Sequence, residues 1–371
     1  MQATHHSART ADLCLIGGGL VGLATALGLQ RHGLNVTILD EADVALRASR
    51  GNFGLVWVQG KGDTLPEYAQ ISRLSARLWS DLASRLREDT GIDVELQQRG
   101  GLYLSLTEQE VADREAMLLR MREAAGGDYP FERLDLQQVR DFIPEAGPEV
   151  AGATWCPEDG HVNPLKLMRA LTEAFLKHGG QIANSGRVES ITPLAQGFKI
   201  QTPEGEWQCQ KVVLSAGLGN RTLAPMVGLD APVFPNRGQV LIAERVRPFL
   251  HYPTGHVRQT GEGTIQVGDS KEDVGFDSGT TTEVMAQIAD RATRMFPILR
   301  GLRMVRAWGA LRIMTADGYP LYQASEQYPG AYLVTCHSGV TLGAFHAGPL
   351  ADWIATDQTD LPLEVFNAQR F

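Results

Sequence analysis

The sequence predicts an α/β fold, with a Rossmann-like dinucleotide-binding domain interleaved with a smaller α+β domain built on a mixed sheet. Three observations predict it. Residues 12–40, DLCLIGGGLVGLATALGLQRHGLNVTILD, read as strand, glycine-rich turn, helix and second strand. Helical and strand patterns then alternate along the chain with no Pro/Ser-rich linker between them, so two domains would have to interleave. The 371 residues are 43% hydrophobic, and a chain of this length has room for about two domains at ~150 residues each.

The opening unit is the most specific element. Leu13 to Ile16 form an apolar strand that runs into Gly17, Gly19 and Gly22, and the helix they open ends near His32 and Gly33. Gly17 makes the tight turn, Gly19 lets backbone approach a pyrophosphate, and Gly22 lets helix and strand pack closely. Leu20 and Val21 stand at the helix N-terminus, where free N–H groups and a positive partial charge suit phosphate. The second strand, Val36 to Leu39, delivers Asp40 23 residues after Gly17. Asp40, with Glu41 beside it, is placed to accept hydrogen bonds from an adenosine ribose. The uncharged run Leu13 to Leu29 is expected to be part of this folded unit and not a signal peptide, because Gly17 to Gly19 interrupts it and a second strand follows directly. It also falls short of the ~20 apolar residues that span a bilayer.

Composition narrows the partners. A net charge of −9, a pI near 5.5 and scattered basic residues argue against nucleic acid and against anionic membrane surfaces. Cys14, Cys156, Cys209 and Cys336 are far apart and include no CxxC pair, so neither a zinc site nor a disulfide framework is expected. A reducing cytoplasm is the expected compartment.

Further along, a loop is expected at 42–64. Ile71, Leu74, Leu78, Leu82 and Leu86 then recur at helical spacing and mark a helix buried on one face. Gly101 to Leu106 reads as a strand, and Thr107 with Glu110 forms a capping box before a charged helix to about Ala125. Asn163 as N-cap, Pro164 at the first helical position and Gly179 after the last turn delimit another helix. Short strands are expected across 187–215, ending in the buried run Val212 to Gly217, and again near 238–243 and 264–268. A helix opened by Thr280 and Glu283 precedes Pro297. The last elements are a strand from Ala331 to Cys336, a turn, and a helix from about Thr341 to Ile354.

Seven segments, in their order and spacing, resemble those of the FAD-dependent amino-acid and amine oxidoreductases, the family of D-amino-acid oxidase, glycine oxidase and sarcosine oxidase. They are the fingerprint, ASRGNFG at 48–54, GHVNP at 160–164, SAG at 215–217, GALR at 309–312, TADGYP at 315–320 and CHSGVTLGAFHAG at 336–348. Within that family, ASRGNFGLVWVQGKG is similar to the flavin subunits of heteromeric dehydrogenases such as opine oxidase, hydroxyproline or proline dehydrogenase and hydrogen cyanide synthase. The resemblance implies FAD, bound noncovalently: monomeric sarcosine oxidases carry their covalent link at a position close to TADG, where this chain has no cysteine.

It also implies roles for particular residues. Ala48, Ser49 and Asn52, with Gly54 closing the segment, would approach the pyrophosphate and ribityl chain. The backbone of Val188 would read the adenine edge, and Ala216 and Gly217 would let backbone pass close to the dinucleotide. Gly339, Val340, Thr341 and Leu342 would aim N–H groups at the negative charge that a flavin gains on accepting hydride. The turn departs from the family's Gly-His-Gly pattern at Cys336, Ser338 and Val340, so backbone roles are expected there. His337 is either a flavin neighbour or structural, and Gln59 and Lys61 are either ring contacts or loop residues. Arg312 resembles the arginine that pairs with the substrate carboxylate, which a planar guanidinium meets with two parallel hydrogen bonds. Arg258 is the second candidate for that pocket.

The implied reaction is oxidation of the C–N bond of an amino acid or N-substituted amino acid, of D-amino acid, glycine, hydroxyproline or opine type. Hydride would pass to flavin N5 and the imine would be hydrolysed. One alternative is the flavin subunit of a heteromeric amine dehydrogenase, with partner subunits and no independent turnover. Another is an NAD-dependent dehydrogenase, which would leave CHSGVTLGAFHAG unexplained. The expected FAD-binding domain comprises 1–85, 145–225 and 325–371, and the substrate-binding domain 86–144 and 226–324.

Overall fold

A computed structural model describes residues 9–41 and 48–371, so part of the loop expected at 42–64 lies outside the described residues. At its centre is a mixed eight-stranded sheet. In spatial order run Leu321–Ala324, Ala331–Thr335, Gly205–Leu214, Arg9–Ile16, Val36–Leu39 and Gln181–Ala183. Phe198–Thr202 folds back antiparallel onto Gly205–Leu214 and carries Ser190–Pro193 beside it. The strand Arg9–Ile16 lies parallel to both neighbours, with Ile16 opposite Leu214 on one side and Leu39 on the other.

Both faces of this strand are covered, which is why it reads as a continuous apolar run. Leu13 and Leu15 enter a core shared with the helices Leu20–Gln30, Pro66–Thr90 and Pro164–Lys177. Cys14 and Ile16 point the other way, to Val188, Phe198 and Leu223. Each fully buried leucine contributes roughly 1.5–3 kcal/mol to this packing. The helix approaches the sheet so closely that a Cβ on Gly22 would lie 2.0 Å from the Gly17 carbonyl oxygen and 2.7 Å from Ser215 Oγ.

The helix Pro66–Thr90 carries proline in its first turn and stops at Gly91, whose φ is 73°. Ile71, Leu82 and Leu86 are buried as the periodicity predicts, with Leu74 and Leu78 at the half-buried margin of the same face. Ser75 Oγ and Trp79 Nε1 both donate to the Thr341 carbonyl, at 2.7 and 3.1 Å, tying this helix to the turn after the last strand. Asn163 caps Pro164–Lys177 as expected, accepting from Leu165 and Lys166 N–H.

Three local readings need correction. Thr107 Oγ1 accepts from Glu110 N–H, but the Glu110 carboxylate accepts from Leu106 N–H, so the expected box is half formed. A reciprocal box does form at Asp135 and Gln138, before the short helix Leu136–Phe142. The helix expected to open at Thr280 is Thr282–Met295, with Thr281 at its N-cap. Gln239 holds that residue by both its N–H and its Oγ1.

The largest departure is the last helix. In place of one helix from Thr341 to Ile354 the chain makes Gly343–Phe345, a widened π-type turn at His346–Leu350, and Ala351–Thr356. Pro349 has no N–H to give, and Gly348 sits at φ −128°, ψ −108°. The i→i−4 ladder therefore breaks there.

A second, antiparallel sheet orders Val257–Gln259, Thr264–Val267, Phe234–Arg245 and Met304–Met314. The helix Thr282–Met295 backs it through Ile288, Ala292 and Met295. A three-stranded sheet of Gly101–Ser105, Gly152–Cys156 and Glu132–Leu134 shares the same core. Among the described residues no helix is long and apolar enough to cross a membrane, and no cluster of His, Cys, Asp or Glu is arranged to hold a metal ion.

Gly22→Ala should push the first helix off its strand. Overpacking of this kind costs about 1–3 kcal/mol, read as a lower urea midpoint, and a midpoint equal to wild type would refute the packing account.

Candidate active site

A cleft of about 240 Å³ opens where the fingerprint, the turn after the last strand and the antiparallel sheet converge. Leu20, Val21, Ala48, Ser49 and Asn52 line one side, Gly339, Val340 and Thr341 another, and Gly238, Ala310 and Arg312 the sheet side.

The fingerprint is shaped to take a dinucleotide. Gly17 has φ 105°, and a Cβ there would stand 2.6 Å from the Ser215 carbonyl oxygen. Beside Gly19, by contrast, an added Cβ would meet only Ser49 Oγ, at 3.3 Å, which leaves room for a phosphate at the helix N-terminus. Ser49 Oγ accepts from Leu20 N–H at 2.9 Å and so fixes the 48–51 turn to the start of the helix. Asp40, 6% exposed, accepts from Gly18 N–H at 2.6 Å, which holds its carboxylate at the strand end. Glu41 lies nearer the surface, 3.6 Å from Arg187.

The remaining predicted contacts divide. Val188 is buried in the core with Ile16 and Leu39. Ala216 N–H donates to Asn220 Oδ1 at 2.9 Å, and Gly217 takes φ 58°. Gly54, at φ 86°, lies against the Val162 carbonyl and shapes the loop behind the cleft. In the last turn Leu342 N–H is taken by the Ser338 carbonyl, and its side chain is core. The N–H groups of Gly339, Val340 and Thr341 have no acceptor among the described residues.

On the sheet side, Arg312 pairs with Asp269 and donates to Asn236 Oδ1 at 3.2 Å, its side chain 16% exposed. It can lie there because the residue diagonal to it on the neighbouring strand is glycine: Arg312 stands opposite Asn236, and a Cβ on Gly238 would come within 2.2–2.5 Å of the guanidinium. Lys61 also lines the cleft and donates to Ser338 Oγ at 2.6 Å, an oxygen that also receives Tyr68 OH at 2.9 Å. Burial pulls the Lys61 pKa down to about 8. His337 lines the cleft and is open to it, with protein packed around that opening. That enclosure, then the charges of Lys61 and Arg312, lower its pKa and leave it neutral at pH 7. Cys336, also on the cleft wall, has its thiol pushed up to about 12 by burial and stays protonated.

Arg258 and Gln59 lie outside this lining. Arg258 is 2% exposed; its Nε donates to His161 Nδ1 at 2.6 Å and its Nη1 to the Phe53 carbonyl and Gln266 Oε1. Burial lowers its pKa to about 10. It braces the 52–54 turn from behind. Gln59 is bound up with Gly101, Thr154 and Asp159.

Sequence reasoning missed Gly238 and Asp269. A glycine inside an apolar strand was the available signal for the first. Asp269 gave none, since its partner stands 43 residues away.

These features define a dinucleotide-binding oxidoreductase with a substrate cleft roofed by an antiparallel sheet. Residues 12–353 match the model of the FAD dependent oxidoreductase (DAO) family, and the chain belongs to that family. An opine oxidase subunit of Agrobacterium tumefaciens (strain Ach5) is 45% identical over 361 residues, 97% of each chain. Glycine oxidase of Geobacillus kaustophilus (strain HTA426) is 24% identical, again over 97% of each. A crystal structure of glycine oxidase from Geobacillus kaustophilus superimposes with a TM-score of 0.90, covering 98% of this chain and all of that one. L-proline dehydrogenase from P. horikoshii shares the fold at a TM-score of 0.85 and 20% identity. The protein is an FAD-dependent oxidoreductase.

Two measurements check the cleft. Gly238→Ala should dislodge Arg312 from Asp269 while leaving the fold intact; a crystal structure of the variant with the pair unmoved would contradict this. Lys61 has a folded pKa of about 8 against an ordinary 10.5, so the unfolded chain holds more protons between those values. Its contribution to stability is fully present above pH 10.5 and lost as pH falls to 8. Wild type should therefore gain on Lys61→Met as pH rises through that window in urea titrations, and a constant difference would show that Lys61 is not desolvated.

Proposed function

We propose that this protein oxidises the C–N bond of an N-substituted amino acid of opine type. The observation that carries the reading is Arg312, laid into the cleft across Gly238, in a chain 45% identical to a protein named as part of an opine oxidase. Gly17, Gly19, Leu20, Val21, Gly22, Asp40 and Ser49 would hold FAD, which supplies the hydride acceptor when bound. The protonated Cys336 thiol supports noncovalent binding.

The chain's own residues do the rest. Arg312 offers parallel N–H groups to a carboxylate, and Asp269 and Asn236 keep its plane fixed. The cleft removes water from the substrate ammonium, which lowers its pKa and favours the neutral amine without a dedicated base. The unpaired N–H groups of Gly339, Val340 and Thr341 set a positive partial charge on the wall facing it. Water then hydrolyses the imine.

In the division we propose, the FAD domain keeps 1–85, 157–225 and 325–371. The strand Gly152–Cys156 goes with the substrate domain, because it pairs with Gly101–Ser105 and Glu132–Leu134. Four free, buried cysteines support a reducing compartment, the cytoplasm. The opine oxidase relatives are named as subunits, which supports a second reading, in which turnover needs a partner chain.

Anaerobic bleaching of the bound flavin tests both readings. The substrates are N-(1-carboxyethyl) amino acids, D-amino acids, glycine, sarcosine and hydroxyproline isomers. Bleaching by the isolated chain excludes the second reading, and bleaching by none of them with or without a partner chain excludes the first. Arg312→Ala should raise the substrate Kd about 30-fold to 1000-fold, equivalent to ~2–4 kcal/mol. Arg312→Lys should recover only part of that loss, because it restores charge without the fork. A Kd within threefold of wild type for Arg312→Ala would remove it from the site.

A further inference from the structure

We propose that Lys61 is the proton acceptor of the cleft and draws the proton of a substrate ammonium through His337 and Ser338. The proposal rests on reading the cleft as an amine-oxidising site and adds where the amine proton goes. Desolvation readies the ammonium to release that proton, and an enclosed cleft must still give it a path.

Three side chains meet at one oxygen. Ser338 Oγ receives Lys61 Nζ at 2.6 Å and Tyr68 OH at 2.9 Å, and His337 Nδ1 lies 3.3 Å from it. A hydroxyl has two lone pairs and one hydrogen. An ammonium can only donate, and burial pushes the Tyr68 pKa up, so that phenol keeps its hydrogen. With both lone pairs taken, the Ser338 hydrogen goes to His337 Nδ1, and the ring proton of the neutral imidazole sits on Nε2. That nitrogen makes no hydrogen bond among the described residues, and His337 is exposed where it lines the cleft.

At the other end, Ser338 Oγ is the one side-chain partner of Lys61 Nζ among the described residues. When the ammonium has lost its proton, the enclosed Nζ lone pair needs a donor, and the Ser338 hydroxyl is the donor in place. Ser338 then accepts from His337 Nδ1–H, and Nε2 presents a lone pair to the cleft. From that state a substrate ammonium gives its proton to Nε2, Nδ1 passes its own to Ser338 Oγ, and Ser338 passes its own to Nζ. One N–H or O–H bond forms for each that breaks. The substrate becomes a neutral amine, Lys61 becomes an ammonium, and His337 stays neutral with its proton on the other nitrogen. That final state is the arrangement in the structure.

The surrounding groups set when the relay opens. Burial lowers the Lys61 pKa to about 8, and Lys271, with Arg114 on the helix Glu108–Ala124, pushes the same way. Cys336 and Asp159 push back. The Cys336 thiol keeps its proton, and the Asp159 oxygens are taken by Val58 N–H, Gln59 N–H and Gln59 Nε2. Lys61, Arg312 and Lys271 all oppose an imidazolium at His337, and Arg312 is itself paired with Asp269. Tyr319, which packs on Tyr68 at 5.2 Å, is hydrogen-bonded to Thr64. The relay takes a proton only while Lys61 is neutral, so it opens as pH rises through about 8.

The test reads the His337 tautomer by long-range proton–nitrogen correlation in FAD-loaded protein carrying 15N-labelled histidine, with the signals assigned by their loss in His337→Gln. At about pH 6.5 the ring proton should be on Nε2, and at about pH 9.5 on Nδ1, with a midpoint near 8. Lys61→Met and Ser338→Ala should each abolish that inversion. A tautomer unchanged across the range, or an inversion kept in both variants, overturns the relay; if one variant fails to load FAD, the other decides. Kinetics supply a second readout, with a saturating concentration of whichever amine of the panel above bleaches the flavin. The bleaching rate of wild type should rise about tenfold between about pH 7 and pH 9.5, and that of Lys61→Met less than threefold. A tenfold rise kept by Lys61→Met also overturns the relay. Inversion without bleaching by any amine defeats the oxidase reading alone, and bleaching without inversion defeats the relay alone.

Discussion

Three stretches of backbone meet at Gly17, Gly22 and Ser215, where neither glycine has room for a Cβ. Ser215 Oγ completes the junction through its hydrogen-bond distance to the Ile16 and Gly17 carbonyls, at 3.0 and 3.1 Å. The position of the helix N-terminus, of Asp40 beyond the second strand and of the Ala216–Gly217 turn all follow from that contact. A single methyl group inserted there separates them together. Ligands of open α/β sheets bind outside the carboxyl ends of the strands, and in this chain those ends are held in register by main-chain contact.

The rest of the cleft is referred to the same junction through Thr341. Its carbonyl receives Ser75 and Trp79, and its hydroxyl accepts from Trp57 N–H. The long helix, the segment after the first cofactor loop and the last turn thus share one residue. The turn's carbonyls and side chains do the bracing, and the N–H groups of Gly339, Val340 and Thr341 have no acceptor among the described residues. Arg312 is supported differently, by a missing Cβ on one side and a carboxylate on the other, so its position depends on the pairing of strands that the central eight-stranded sheet does not contain.

What could be read in the sequence follows from what is local. The fingerprint, the Asn163 cap and the strand Val36–Leu39 declare themselves because each depends on residues within a few positions of one another. Arg312 was found only through resemblance, since nothing in GALR shows that Gly238 and Asp269 will be brought beside it. Pro349 was a visible signal against an unbroken last helix, yet the apolar run around it read as continuous.

The order of the strands has a consequence for biosynthesis. The opening strand gains the Ser215 contact only from residues that follow Ile16 by 199 positions, and the Gly339–Thr341 wall comes later still. A chain still on the ribosome can have its first helix and Asp40 without the surfaces that complete the cleft around them. The cleft lining runs from Leu20 to Thr341, so its walls come together only after that last turn has been made.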